Sequence, residues 1–384
     1  MGSGTTCKPL TVCRISRPAD CSASQSGKET PALSAKSCAS GANGWCDIED
    51  MVNKAKLAHA EGIDIMITIH FSDYWADPGK QTKPAAWASM TVSELETAVY
   101  NHTTDILTAL DAENIKPKWV QIGNETNDGM LWPTGKASSA GFIDYAKFIN
   151  SGNNAVKTFD SSIKTIVHLA NGFDNNLFQW NIGGLISNGA QFDIIGMSLY
   201  PDSNNWLDLV DDTYSNMLDM QSRYTKDVMM VEVGFNSNFP DVAHQFLVYM
   251  LEKTRQAGGL GVLYWEPIAH LGWESYSKGA WDTDGSPSIA MDAFIDSSTL
   301  STEEVIDNGV FKGLKLYPNP VLNTLKIDVK DENIDSINVF DLLGRKLKDI
   351  KDIKNHQFLD ISDLPHGVYL LITNTKEQFK IIKK

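Results

Sequence analysis

The stretch Trp119-Val-Gln-Ile-Gly-Asn-Glu125 reads as a buried strand that runs out into a polar loop. Trp119, Val120 and Ile122 are apolar, and Gly123 then ends the run, leaving Asn124 and Glu125 at the strand's C-terminal end. In parallel α/β folds that end is where ligands bind. A second run repeats the arrangement: Val228-Met-Met-Val231, then Glu232, then Val-Gly-Phe235. Two glutamates on two strand ends suit glycoside hydrolysis, in which one carboxyl protonates the leaving oxygen and the other attacks or activates water.

Outward from these two runs, strands alternate with helices. Ile48, Met51, Val52, Ala55, Leu57 and Ala58 recur at roughly helical spacing over 47–61, and Gly62 supplies a stop. Strands are predicted at 63–69, 118–122, 163–169, 192–197, 227–231 and 260–265. Helices fall near 92–113, 140–158, 174–188, 205–224 and 241–257. This alternation implies right-handed βαβ units and a parallel sheet. The six strands fit either a doubly wound sheet or most of a (β/α)8 TIM barrel. His70, Glu125, His168, Tyr200, Glu232 and Trp265-Glu266 all fall at or just past strand ends. A doubly wound sheet concentrates its site at one switch point, whereas a barrel collects residues from many strands, so the barrel is favoured.

The two ends of the chain differ from this middle. Residues 1–43 are mostly small and polar, with one apolar patch at Leu10-Thr-Val-Cys-Arg-Ile15. They are expected to be irregular or poorly ordered and to supply neither of the barrel's first two strands. The third and eighth barrel strands would then have unpaired edges, and the chain would be aggregation-prone and weakly active. Residues 44–300 form the expected barrel domain. Residues 311–384 hold short alternating runs such as Leu325-Lys-Ile-Asp-Val329 and Val368-Tyr-Leu-Leu-Ile372. Turn signals separate these runs, as in a small all-β sandwich.

Composition narrows the function. The formal net charge of −15 over 384 residues argues against nucleic acid or an anionic membrane surface as partner. No run approaches the roughly 18 apolar residues of a membrane span. All five cysteines lie within the first 46 residues, in spacings that match neither a disulfide framework nor a zinc signature. The first residues lack the charged-then-apolar pattern of a secretory signal.

The central region resembles glycoside hydrolase family 53, the arabinogalactan endo-β-1,4-galactanases. The resemblance rests on Gly44-Trp45-Cys46, His70-Phe-Ser-Asp-Tyr-Trp-Ala-Asp-Pro-Gly-Lys-Gln81, Pro84 with Trp87, and Val120-Gln-Ile-Gly-Asn-Glu125. It continues through Gly129-Met-Leu-Trp-Pro-Thr-Gly135, His168-Leu169, Phe192-Asp-Ile-Ile-Gly-Met-Ser-Leu-Tyr-Pro201, Val231-Glu232 and Tyr264-Trp-Glu-Pro267. It implies a (β/α)8 barrel with the acid/base after the fourth strand and the nucleophile after the seventh, here Glu125 and Glu232. It also implies that Asn124 holds the sugar's 2-hydroxyl. The family's opening βα units, with an arginine-rich second strand, have no counterpart before Gly44. The C-terminal region resembles the type A sorting domain of type IX secretion. That likeness rests on Leu316-Tyr-Pro-Asn-Pro-Val321, Asp341-Leu-Leu-Gly-Arg345, Gly367-Val-Tyr369 and Ile381-Ile-Lys-Lys384.

Glu125 and Glu232 are therefore the expected catalytic pair of a retaining endo-galactanase. His70, Asp73, Trp75, Asn124, Trp132, His168, Tyr200 and Trp265 are the expected substrate-binding residues. The tryptophans would stack on galactose rings, Tyr200 would donate to Glu232, and Asp73 would bind a hydroxyl or brace a loop. No cofactor is expected, and Asp282-Thr-Asp-Gly285 is too slight a fragment of a calcium loop to assign a metal. The expected partners are β-1,4-galactan and, through the C-terminal domain, the type IX machinery. The protein would be a monomer that is secreted or held at the cell surface. Another barrel glycosidase, such as a mannanase or cellulase, and a catalytically impaired galactan-binding protein remain open alternatives.

Overall fold

The structure is a computed structural model that describes residues 11–14, 31–38, 47–270, 276–296, 314–329, 333–354 and 357–384. The chain divides into two compact units. The first comprises residues 1–202, 209–238 and 250–288, and the second comprises 203–208, 239–249 and 289–384.

The first unit is built on one eight-stranded sheet. Its strands are β1 (Thr11–Arg14), β2 (Pro31–Cys38), β3 (Asp64–His70), β4 (Trp119–Ile122), β7 (Lys164–Leu169), β8 (Ile194–Leu199), β9 (Asp227–Val233) and β10 (Val262–Tyr264), in that spatial order. A two-stranded ribbon, β5 (Gly129–Met130) with β6 (Gly135–Lys136), lies in the loop after β4. From β2 to β10 every neighbour is parallel, while β1 pairs antiparallel with β2. The sheet curls so that β1 lies beside β10, although no ladder joins them among the described residues. The six strands read from the sequence are all present. They are buried along almost their whole length, as parallel strands covered on both faces must be.

The expectation for residues 1–43 needs correcting. They supply two strands, and β2 pairs with β3 from Ala32↔Asp64 to Cys38↔His70, so the edge of β3 is covered. Short polar side chains do not forbid a strand when a neighbouring strand offers a complete backbone ladder. Because β1 is reversed, β1 and β2 are not joined by a βα crossover of the usual kind. The rest of that segment, including Cys7 and Cys21, lies outside the described residues, as does Cys46.

Helices α1 (Ile48–Ala60), α2 (Val92–Asp111), α4 (Phe142–Phe159), α5 (Asn175–Ser187), α6 (Trp206–Tyr224) and α7 (Pro240–Gln256) connect the strands, with two short ones, α3 (Ala137–Ala140) and α8 (Ala293–Asp296). Their starts follow local chemistry. Thr91 and Glu94 form a capping box on α2, while Asp47 and Asp174 accept from the third backbone N–H of α1 and α5. Gly152 lets α4 press onto β4, since a Cβ there would stand 2.7 Å from an Ile122 methyl. No described helix is long and apolar enough to cross a membrane.

The second unit carries two antiparallel sheets. One has the order β11 (Leu314–Tyr317), β12 (Thr324–Val329), β15 (Gln357–Asp360). The other has the order β14 (Lys346–Lys351), β13 (Ser336–Asp341), β16 (Gly367–Thr373), β17 (Gln378–Lys383). Alternate residues such as Leu325, Ile327, Ile337, Val339, Leu371 and Ile381 form one core between them. This is the expected all-β sandwich.

The sequence motifs here do structural work. Buried Asp341 accepts from the N–H groups of Leu343 and Arg345, both at 2.9 Å, and from the Arg345 guanidinium at 2.6 Å. Gly344 supplies the positive φ that this turn requires. Asn319 grips β17 twice, donating to the Lys380 carbonyl and accepting from Ile382, each at 2.8 Å.

Candidate active site

The chain leaves β4 through two residues in the left-handed region, Gly123 at φ 84° and Glu125 at φ 47°. That conformation is unfavourable for a glutamate, so neighbouring bonds must hold it. Thr126 N–H donates to the His168 carbonyl at 2.9 Å, and the Asn181 amide reaches the carbonyls of Thr126 and Asn127, each at 2.9 Å. From the other side, the Gln81 amide lies 2.8 Å from the Asn124 carbonyl and 3.2 Å from that of Glu125. Glu125 is thereby fixed by the loop after β3, the end of β7 and helix α5.

Glu232 reaches the same place by a different device. Met197 pairs with Met230, but the next residue, Ser198, pairs with Glu232. Against β10, Val262 pairs with Met230 and Tyr264 with Val233. Strand β9 therefore carries one more residue than either neighbour between Met230 and Val233. Such a bulge re-aims a side chain that regular alternation would send to the other face. Here it puts Glu232 on the same side as Ser198, whose hydroxyl donates to Glu125 Oε1 at 2.8 Å.

The outcome is a compact group. One carboxylate oxygen of Glu125, one of Glu232 and a ring nitrogen of His168 all lie within 4.8 Å of one another. Such a trio could also hold a divalent cation, which would use the carboxylates as ligands. Glu232 and His168 are buried and Glu125 is half-buried. Tyr200 donates its hydroxyl to Glu232 Oε2 at 3.1 Å. Burial first, and then the Glu232 charge, push that phenol well above its ordinary value, so it remains a donor.

The other expected residues divide into two sets. His70, Asn124 and His168 form one buried cluster. His70 Nδ1 accepts from Ala76 N–H, and Asn124 Nδ2 donates to the Ala76 carbonyl, both at 2.9 Å. His168 Nδ1 lies 3.2 Å from Asn124 Oδ1 and 3.4 Å from the Glu125 nitrogen. Trp265, just past β10, meets exposed Trp75 edge to face, with ring centroids 5.6 Å apart.

Asp73 and Trp132 are built into loops instead. Asp73 Oδ2 accepts from Ala85 N–H at 2.8 Å. The Trp132 indole donates to the Asp128 carbonyl at 2.9 Å, and the Lys136 ammonium sits 4.4 Å from its ring centroid.

Four residues at the site carried no assigned role in the sequence reading. Gln81 and Ser198 stood inside quoted motifs. A lone hydroxyl within Ile194-Ile-Gly-Met-Ser-Leu199 was the signal available for Ser198. Gln121 donates to Asn124 Oδ1 at 3.2 Å. Tyr276 donates to the Trp265 carbonyl at 3.3 Å, and burial raises its phenol far above the usual range. It sits in a loop with no pattern to point to it.

The chain is similar to known proteins over both its central and its C-terminal parts. Residues 30–248 match Glycosyl hydrolase family 53, and residues 315–384 match the Secretion system C-terminal sorting domain. An Aspergillus niger protein, Arabinogalactan endo-beta-1,4-galactanase A, is 31% identical over 249 residues, covering 59% of this chain and 70% of the relative. A structure of two fungal beta-1,4-galactanases aligns with TM-score 0.61 at 27% identity, covering 68% of this chain and 86% of that one. The GH53 catalytic domain from Ignisphaera aggregans aligns with TM-score 0.58 at 28% identity, covering 65% of this chain and 78% of that one. The chain belongs to glycosyl hydrolase family 53 and carries a C-terminal sorting domain for export by type IX secretion.

Proposed function

We propose that this glycoside hydrolase cleaves β-1,4-galactan internally and with retention, using Glu232 as nucleophile and Glu125 as acid/base. One observation carries the reading: one carboxylate oxygen of Glu125 and one of Glu232 lie within 4.8 Å of each other. Retaining enzymes keep their carboxyls about 5–5.5 Å apart, whereas inverting enzymes need about 6.5–9.5 Å to admit a water. The galactan substrate is supported by the names of the relatives.

In the first step Glu232 attacks the anomeric carbon while the Glu125 proton passes to the glycosidic oxygen, which leaves with the departing chain. The product is a glycosyl ester on Glu232. In the second step Glu125, now a carboxylate, takes a proton from water as the water oxygen attacks the anomeric carbon. Glu232 departs as a carboxylate, which Tyr200 stabilises by its hydrogen bond. Trp75 and Trp265 offer ring faces and edges for the sugar C–H surface, and Asn124 keeps one amide N–H for a hydroxyl.

The test is direct. Glu125→Gln and Glu232→Gln should each lower galactan turnover by at least about 100-fold while leaving the thermal midpoint near wild type. The sugar released first should be the β-anomer by proton NMR, and α-anomer release would refute retention. Parallel assays on mannan and cellulose should give far less product than galactan. Exhaustive chelation should leave turnover unchanged, and its loss would make the Glu125–His168–Glu232 trio a metal site instead.

A further inference from the structure

We infer that Ser198 is a positioning residue that sets both the orientation and the working pH of Glu125. The inference rests on the reading of Glu125 as the acid/base.

The geometry is specific. Ser198 is buried, and its hydroxyl donates to Glu125 Oε1 at 2.8 Å. Its backbone is independently engaged, since the Ser198 carbonyl accepts from Gly172 N–H at 2.8 Å. It stands opposite Glu232 at the point where the β8–β9 ladder changes register. The bulge in β9 thus brings Glu232 to the side on which the Ser198 hydroxyl meets Glu125.

The bond to Oε1 has two consequences. It holds Oε1 as an acceptor and so fixes the rotation of the carboxyl group. It is also stronger when Glu125 is ionised than when it is protonated, because a charged acceptor roughly doubles such a bond. Ser198 thus favours the carboxylate that must act as base in the second step. It counters the neighbours that resist ionisation.

The groups around Glu125 come from several strand ends and loops. Glu232 on β9 opposes a second negative charge. Tyr200, past β8, stays neutral and is committed to Glu232. His168 on β7 lies against the Glu125 backbone nitrogen at 3.4 Å. Gln81 and Asn124 hold the loop backbone without charge.

The test compares kcat/KM on β-1,4-galactan, from about pH 4 to about pH 9, for wild type, Ser198→Ala, Ser198→Thr and Glu125→Gln. Removing the hydroxyl should move the alkaline limb upward by about 0.5–1 pH unit, with kcat changing more than KM. Ser198→Thr keeps a hydroxyl and should hold the limb near its wild-type position.

If Ser198→Ala does not accumulate as folded protein, Ser198→Cys, a weaker donor, should shift the limb the same way by less. A limb that stays in place, or an even loss of rate at all pH values, overturns the inference provided Glu125→Gln is inactive. Full activity in Glu125→Gln would instead overturn the acid/base reading itself, so the two failures are separable.

Discussion

At the residue scale, the site depends on hydrogen bonds that fix carboxylates rather than on the carboxylates alone. Tyr200 shows this most simply. Its phenol stays protonated because burial and the Glu232 charge both oppose ionisation, so it can only donate to Glu232. Tyr200→Phe should lower kcat/KM by about 10- to 100-fold, the worth of a hydrogen bond to a charged group, with little change in thermal midpoint. Unchanged kinetics would remove Tyr200 from the mechanism.

His102 makes a different residue-scale prediction. It packs edge-on against Phe71 and Trp87, with centroids 6.1 and 6.4 Å away, and burial lowers its pKa despite the opposing charge of Asp105. The unfolded chain takes up a proton near pH 6.5, while the folded chain resists it until lower pH. Stability from this group is therefore present above about pH 6.5 and declines as pH falls toward the folded value. In urea titrations, His102→Gln should lose less stability than wild type between about pH 7 and about pH 5. Equal losses in both proteins would assign the acid sensitivity elsewhere.

At the element scale, the bulge in β9 is the device that makes the site. With regular pairing Val231 would stand opposite Ser198, and Glu232 would point to the face that Leu199 occupies. The bulge is packed from beside it. A Cβ at Gly196 would meet an Ile166 methyl at 2.8 Å and the two Val231 methyls at 3.0 and 3.1 Å. Gly196→Ala should then cost about 1–3 kcal/mol, the usual range for overpacking a core. It should also lower kcat, because the strain falls on the residue next to Glu232. A urea midpoint and rate both equal to wild type would show that the strands yield without disturbing the bulge.

At the scale of the whole molecule, the two units hold different chemistry. The proposed catalytic groups, Glu125 and Glu232, both come from the first, whose parallel strands send residues to one end of the sheet. The second is an antiparallel sandwich whose motif residues, Asp341 and Asn319 among them, serve its own turns and edges. Removing residues 315–384 should leave galactan hydrolysis in cell extracts within about twofold of wild type, as expected for a folding unit with its own core. The truncated protein should remain in the periplasm, because the sorting domain is what directs export. Normal appearance of the truncation outside the cell would contradict that division of labour.

The sequence alone determined the barrel's repeating strands and helices, since hydrophobic period and helix caps are local properties. Six strands and their order could be read that way, as could Glu125 and Glu232, because an acid at the end of an apolar run is visible without any neighbour. Residues 1–43 could not be read so, for their strands are made by a backbone ladder to β3 and carry little pattern of their own. Ser198, Gln81 and Tyr276 likewise owe their places to partners distant in the chain. The β9 bulge is a relation between strands, legible in no single one. What only the tertiary structure decided was which of the many polar side chains meet, because that depends on register, and register is set by pairing rather than by composition.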